Sequence, residues 1–142
     1  MPSASHSVTI NRRASEVFAF VADGENAPNW RSGVLDVQRV SGHGAGAVYR
    51  QGVRGPGRRR VAADYEVTAY EPDKRMAFKT IAGPVRPTGE FRLQAADGVT
   101  TLTLSLQADL GGVKRLLMSG MVQKTMDAEV AAIENVKRIL ES

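Results

Sequence analysis

The chain has 142 residues, 42% hydrophobic and 24% charged, with 19 basic against 15 acidic residues and a formal net charge of +4. This ordinary globular composition is long enough to bury a core without staples, and it predicts one domain over 1–142. The absence of cysteine excludes disulfides, thiolate metal sites and cysteine nucleophiles, while the lack of an apolar run of roughly 18 residues or of a signal-peptide core predicts a cytoplasmic protein with no stable membrane insertion.

Residues 6–10 alternate as an opening strand, with Val8 and Ile10 on one face. Ser15 stands where it can cap a short helix over 16–22, whose first-turn Glu16 suits the helix dipole. Val17, Phe18, Phe20 and Val21 are too apolar for a solvated helix, so it must pack on something. Turn formers from Asp23 to Asn29 then allow a second helical turn before Trp30.

From Val34 the apolar period is two. Strands are predicted over 34–40 and again where Ala47, Tyr49, Gln51 and Val53 alternate against Val48, Arg50 and Arg54; the glycine-rich stretch 41–46 joins them. A turn at 55–57 leads to a strand over 61–70, a second turn at 71–73 to a strand carrying Met76, Phe78 and Thr80, and then Phe91 and Leu93 mark another. Ala96-Asp97-Gly98 signals a hairpin into the strand of Leu102, Leu104 and Leu106. Short connections and one-sided alternation describe an antiparallel meander of about seven strands with one wet face.

The last thirty residues have the helical period. Val122, Met126, Val130, Ile133, Val136 and Leu140 draw one stripe along a helix of about 40 Å, enough to cross such a sheet and bury its apolar face. Leu116, Leu117, Met118 and Met121 spread over a wider arc, and Gly120 among them marks a kink or a close approach. The fold class is therefore α+β, a curved antiparallel sheet wrapped around a long C-terminal α-helix, with two short helices after the first strand.

The first strand with "EVFAFVAD" and a nearby "NW", then "YEVTAYEP" with "RMAF", then the long helix, resembles the polyketide cyclase/dehydrase branch of the START-like, helix-grip superfamily. The resemblance spans essentially the whole chain, with Arg13-Ala14 where family members often have proline before the first helix. It implies a hydrophobic cavity between sheet and helix, a lipid or polyketide-like guest, and cyclisation or dehydration of a poly-keto substrate as the enzymatic alternative.

The candidate ligand-binding residues are Trp30, Tyr49, Tyr65, Met76, Phe78, Phe91, Leu117, Met118 and Met121. The methionines offer a flexible apolar lip, against which stand plain core packing or a homodimer contact. Trp30 closes one end of a cavity or plugs the space under a loop. Tyr49 and Tyr65 share parity with apolar neighbours, so each presents a hydroxyl inward as a donor or weak acid, or packs its ring and lets the hydroxyl reach solvent. Asp64 and Glu66 have the opposite parity and are expected to face water. His6 and His43 lack partners at metal-ligand spacing, and no histidine is placed for a triad; the 41–46 loop lacks the lysine and hydroxyl of a phosphate loop. The catalytic set is thus unknown, and no metal or cofactor is expected. Arg58, Arg59 and Arg60, near Arg50 and Arg54, lack the interleaved aromatics of a nucleic-acid surface, which leaves a solvated hairpin tip or a membrane-surface contact that aids lipid transfer.

Three functions remain: a carrier of an apolar small molecule, a cyclase/dehydrase-type enzyme moving a proton through a cavity tyrosine or bound water, and an interaction protein using the methionine-rich helix face.

Overall fold

The apolar period of two that runs from Val34 to Leu106 becomes, in the computed structural model, one strongly curved sheet. The structure describes residues 3–83, 85–108 and 112–142, with all their side chains except those of 56 and 112–119. Among these run strands β1 (Ser3–Ile10), β2 (Val34–Ser41), β3 (Val48–Arg54), β4 (Arg60–Ala62), β5 (Tyr65–Glu71), β6 (Arg75–Thr80), β7 (Thr88–Ala96) and β8 (Val99–Gln107). All pairs are antiparallel, in the order β1-β8-β7-β6-β5-β3-β2, with β4 attached to β3. The register carries one face across the whole sheet: Val8 lies opposite Leu102, Phe91 opposite Leu104, Met76 opposite Phe91, Val67 opposite Phe78 and Tyr49 opposite Tyr65. These side chains are buried or half-buried, as the alternation requires when one face packs and the other is wet.

Helices α1 (Ala14–Ala22) and α2 (Ala27–Trp30), with a single 3-10 turn at Gly24–Asn26 between them, follow β1. Helix α1 begins at Ala14 with Arg13 at the cap position and no side-chain cap, so Ser15 does not play that part. The Arg13 carbonyl accepts the N–H groups of Glu16 and Val17 at 3.1 Å, and burial of Val17, Phe18 and Val21 holds the helix by packing.

The predicted strand 61–70 is interrupted at Ala63-Asp64, which separates β4 from β5. Gln51 clasps the break: its carbonyl accepts the Ala63 N–H at 2.8 Å, its N–H donates to Asp64 Oδ1 at 3.1 Å, and its Nε2 donates to the Ala63 carbonyl at 3.0 Å. Asp64 is consequently half-buried instead of facing open solvent.

The C-terminal helix is long, as expected, but its axis is interrupted where the sequence carries no breaker. It comprises α3 (Gly112–Ala131) and α4 (Ile133–Glu141). At Ala132 the ladder tightens to three-residue bonds, Ala132 N–H to Glu129 carbonyl and Asn135 N–H to Ala132 carbonyl, a local 3-10 turn. The cause is tertiary: Ile133 and Val136 are fully buried on one side, while Asn135 Nδ2 donates to the Trp30 carbonyl at 2.9 Å. α3 runs through Gly120, and a Cβ there would meet no described atom within 4 Å.

The helix lies along β1, tied by Ser3 N–H to Gln123 Oε1 (3.0 Å), Lys137 Nζ to the Thr9 carbonyl (2.6 Å) and Asn11 N–H to Glu141 Oε2 (2.7 Å). Its stripe, Val122, Met126, Val130, Ile133 and Val136, enters the core formed with the inner face of the sheet. No helix among the described residues is long and apolar enough to cross a membrane.

Candidate functional site

The sheet's inner face carries a ladder of rings. Tyr49 on β3 stacks on Tyr65 on β5, centroids 4.9 Å apart and planes at 11°. Tyr65 meets Phe78 on β6 at 5.7 Å, Phe78 meets Phe91 on β7 at 6.0 Å, and Phe91 and Trp30 on α2 make a T-shaped contact at 6.1 Å. Offset and edge contacts at these distances are the favourable geometries for aromatic quadrupoles. Strand pairing puts each ring beside the next, and Gly89 makes room: a Cβ there would collide with the Phe78 ring and fall 2.7 Å from Leu106. Met76 is buried in the same layer, and Met126 of α3 is buried too.

The tyrosine end of the ladder closes against Gly24. A side chain at that position would strike the Tyr65 hydroxyl and come within 2.8 Å of the Tyr49 ring. The glycine is delivered by the 3-10 turn, whose start is fixed by Asp23 Oδ1 accepting the Glu25 N–H at 3.1 Å. Burial, and then the neighbouring Tyr49, push the Tyr65 phenol well above its ordinary value; burial and the Asp23 carboxylate push Tyr49 upward too. Both hydroxyls therefore stay protonated across the physiological range, suited to donate hydrogen bonds and unsuited to act as bases.

Beside Trp30 lies a polar cluster that sequence reading missed. Arg31 Nε donates to Glu129 Oε2 of α3 at 2.8 Å, Nη2 is ion-paired with the same oxygen at 2.8 Å, and Nη1 donates to Gln51 Oε1 at 3.2 Å. The Arg31 and Glu129 side chains are only 21% and 22% exposed, and Gln51 is buried. The guanidinium also stands 5.9 Å from the Trp30 ring centroid, within cation–π range. Gln51, a polar residue sharing the apolar parity of Tyr49, was the one signal in the sequence. Arg31 and Glu129 are 98 residues apart and had none.

Of the predicted ligand-binding residues, Trp30, Tyr49, Tyr65, Met76, Phe78 and Phe91 are brought together on the inner face. Met121 is 57% exposed on α3 and stands apart from the ladder. The side chains of Leu117 and Met118 lie outside the described residues. Elsewhere His6 Nε2 contacts Glu134 Oε2 at 2.8 Å and His43 Nδ1 pairs with Arg39 Nη1 at 3.0 Å. No group of three or more potential ligands among the described residues could hold a metal ion. Arg60 forms a fork with Asp36, at 2.9 and 2.7 Å, while Arg50, Arg54, Arg58 and Arg59 are exposed. Two open hollows, of about 550 and 420 Å³, lie along Glu71, Arg75 and Arg92, and along Lys79, Glu90 and Ser105.

A curved antiparallel sheet gripping a C-terminal helix, with aromatic side chains on the gripping face, defines the helix-grip fold. The family described as "Polyketide cyclase / dehydrase and lipid transport" matches residues 1–141, and the chain belongs to it. Solved structures share the fold at low identity. The protein TTHA0849 from Thermus thermophilus superposes with a TM-score of 0.81 at 20% identity, covering 96% of this chain and 95% of that one. A START superfamily protein from Mycobacterium smegmatis gives 0.74 at 15%, over 97% and 98%. The Zhui aromatase/cyclase from Streptomyces sp. R1128 gives 0.70 at 18%, over 96% and 94%. No curated protein matches the sequence.

Proposed function

We propose that this protein binds an apolar small molecule, lipid or polyketide-like, between the inner face of the sheet and the C-terminal helix, in the cytoplasm. The observation that supports it is the unbroken ring ladder from Trp30 to Tyr49, which ends at a half-buried polar cluster. A core built for stability alone gains nothing from an arginine, a glutamate and a glutamine set against its aromatic wall, because desolvating them opposes folding. An amphiphilic guest uses both parts, its body along the rings and its polar group at the cluster.

Native mass spectrometry of gently purified protein, before and after organic extraction, tests this. The reading predicts an extractable mass carried in stoichiometric amount, or failing that a saturable rise in melting temperature with apolar ligands. A protein that carries nothing and is stabilised by none contradicts it.

The enzymatic reading, cyclisation or dehydration of a poly-keto chain, is favoured by one observation: two tyrosine hydroxyls held protonated beside Gly24. Such groups can polarise a carbonyl, and holding a flexible chain folded supplies much of the rate. Tyr65→Phe that leaves turnover of a keto substrate unchanged removes the tyrosine from that mechanism. The Zhui protein's printed activity, aromatase/cyclase, is the chemistry to assay first.

A further inference from the structure

Arg31 carries five N–H groups; Nε donates to Glu129 and Nη1 to Gln51, and Nη2 is ion-paired with the same Glu129 oxygen. Its remaining N–H groups find no hydrogen-bond partner among the described residues. The guanidinium lies against Trp30 at the end of the ring ladder, so a group bonded to it would continue directly from an apolar body packed on the rings.

The charges around this position decide what that group is. Arg31 is paired with Glu129 at 2.8 Å, one cation against one anion. The positive charge of Arg31 is already neutralised, while its hydrogen-bonding capacity is not exhausted. A carboxylate brought here would enter a site of low dielectric as a surplus negative charge and lose its hydration. An uncharged carbonyl accepts the same N–H groups without that penalty.

We infer that the Arg31–Glu129–Gln51 cluster is a selectivity site that takes the uncharged carbonyl of an apolar ligand and rejects the carboxylate of the corresponding fatty acid. The inference rests on the ligand-binding reading above and adds the chemistry of the head group. Glu129 is the determinant: it converts an arginine that would otherwise attract acids into a neutral donor.

Undecyl methyl ketone and lauric acid share one hydrocarbon body and differ at the head, and Trp30, the only tryptophan, reports binding beside the cluster by its fluorescence. At about pH 8, where the acid is ionised, titration of the intact protein should give a Kd for the ketone at least about tenfold lower than for laurate. Glu129→Gln should raise laurate affinity by about tenfold and so narrow or abolish the preference for the ketone, with far-UV circular dichroism confirming that the variant is folded. Equal affinities in the unmodified protein overturn the inference and leave the binding function standing, whatever becomes of the variant. A folded Glu129→Gln variant with an unchanged preference also overturns it. Failure of both probes to bind the unmodified protein overturns the binding function itself, and the inference with it.

Discussion

A methyl group added at Gly24 would fall on the Tyr65 hydroxyl and 2.8 Å from the Tyr49 ring. Both rings are locked by their stack, so neither can swing away cheaply. Gly24→Ala should therefore destabilise the protein by about 1–3 kcal/mol, the cost of overpacking, read as a lower urea midpoint at unchanged slope. An unchanged midpoint would show that this end of the ladder is loose. Burial and the neighbouring Tyr49 ring raise the Tyr65 phenol above its unfolded value. A raised acid contributes stability that is complete below the unfolded pKa of about 10 and is lost as pH climbs from there toward the folded value. Equilibrium unfolding between about pH 9 and 12 should show this decline, and Tyr65→Phe should make it shallower. A variant with the same alkaline slope would place the proton elsewhere.

Among the elements, the C-terminal helix shows most clearly what local sequence reports and what it omits. The stripe from Val122 to Val136 is buried as its spacing predicts. The interruption at Ala132 was not legible, because its causes, the Asn135 bond to the Trp30 carbonyl and the seating of Ile133, come from elsewhere in the fold. Glycine, the local signal, pointed to Gly120, where the helix continues. Gly120→Ala should accordingly stabilise the protein by about 0.5–1 kcal/mol, the propensity difference alone; a destabilised variant would reveal a contact at that face. Strand alternation placed the five inner-face candidates on strands, and a loop signal placed Trp30, because parity is a local property that register preserves. The Arg31–Glu129 pair needs α2 and α3 to meet, and no period encodes that. The break at Ala63-Asp64 escaped the alternation because its partner, Gln51, is on another strand.

For the molecule as a whole, ion pairs fasten the outer face and the helix to the sheet. The Arg60 guanidinium holds Asp36 below the usual carboxylate range. Burial pushes Glu90 upward, but hydrogen bonds from Arg75 and Arg92 outweigh it and the net direction is down; the Asn11 N–H and then Lys137 lower Glu141. Each of these carboxyls releases its proton more readily in the folded chain than in the unfolded one. Their contribution is present above about pH 4 and is lost as pH falls through the lowered folded values, so urea midpoints should fall steeply below that point and be nearly flat above it to neutrality. A flat acid limb would mean that these pairs do not act on stability.

The proposed binding region, between the ring ladder and the helix, has a buried methionine on each of the two elements. Met76 is buried in the sheet's inner layer and Met126 on the buried stripe of α3, whereas Met121 is exposed. Methyl-labelled methionine spectra recorded during titration with undecyl methyl ketone report directly on binding there. Saturable shifts of the Met76 and Met126 resonances together, with a common affinity, are expected. Shifts confined to Met121, or none at all, would rule out binding at this place.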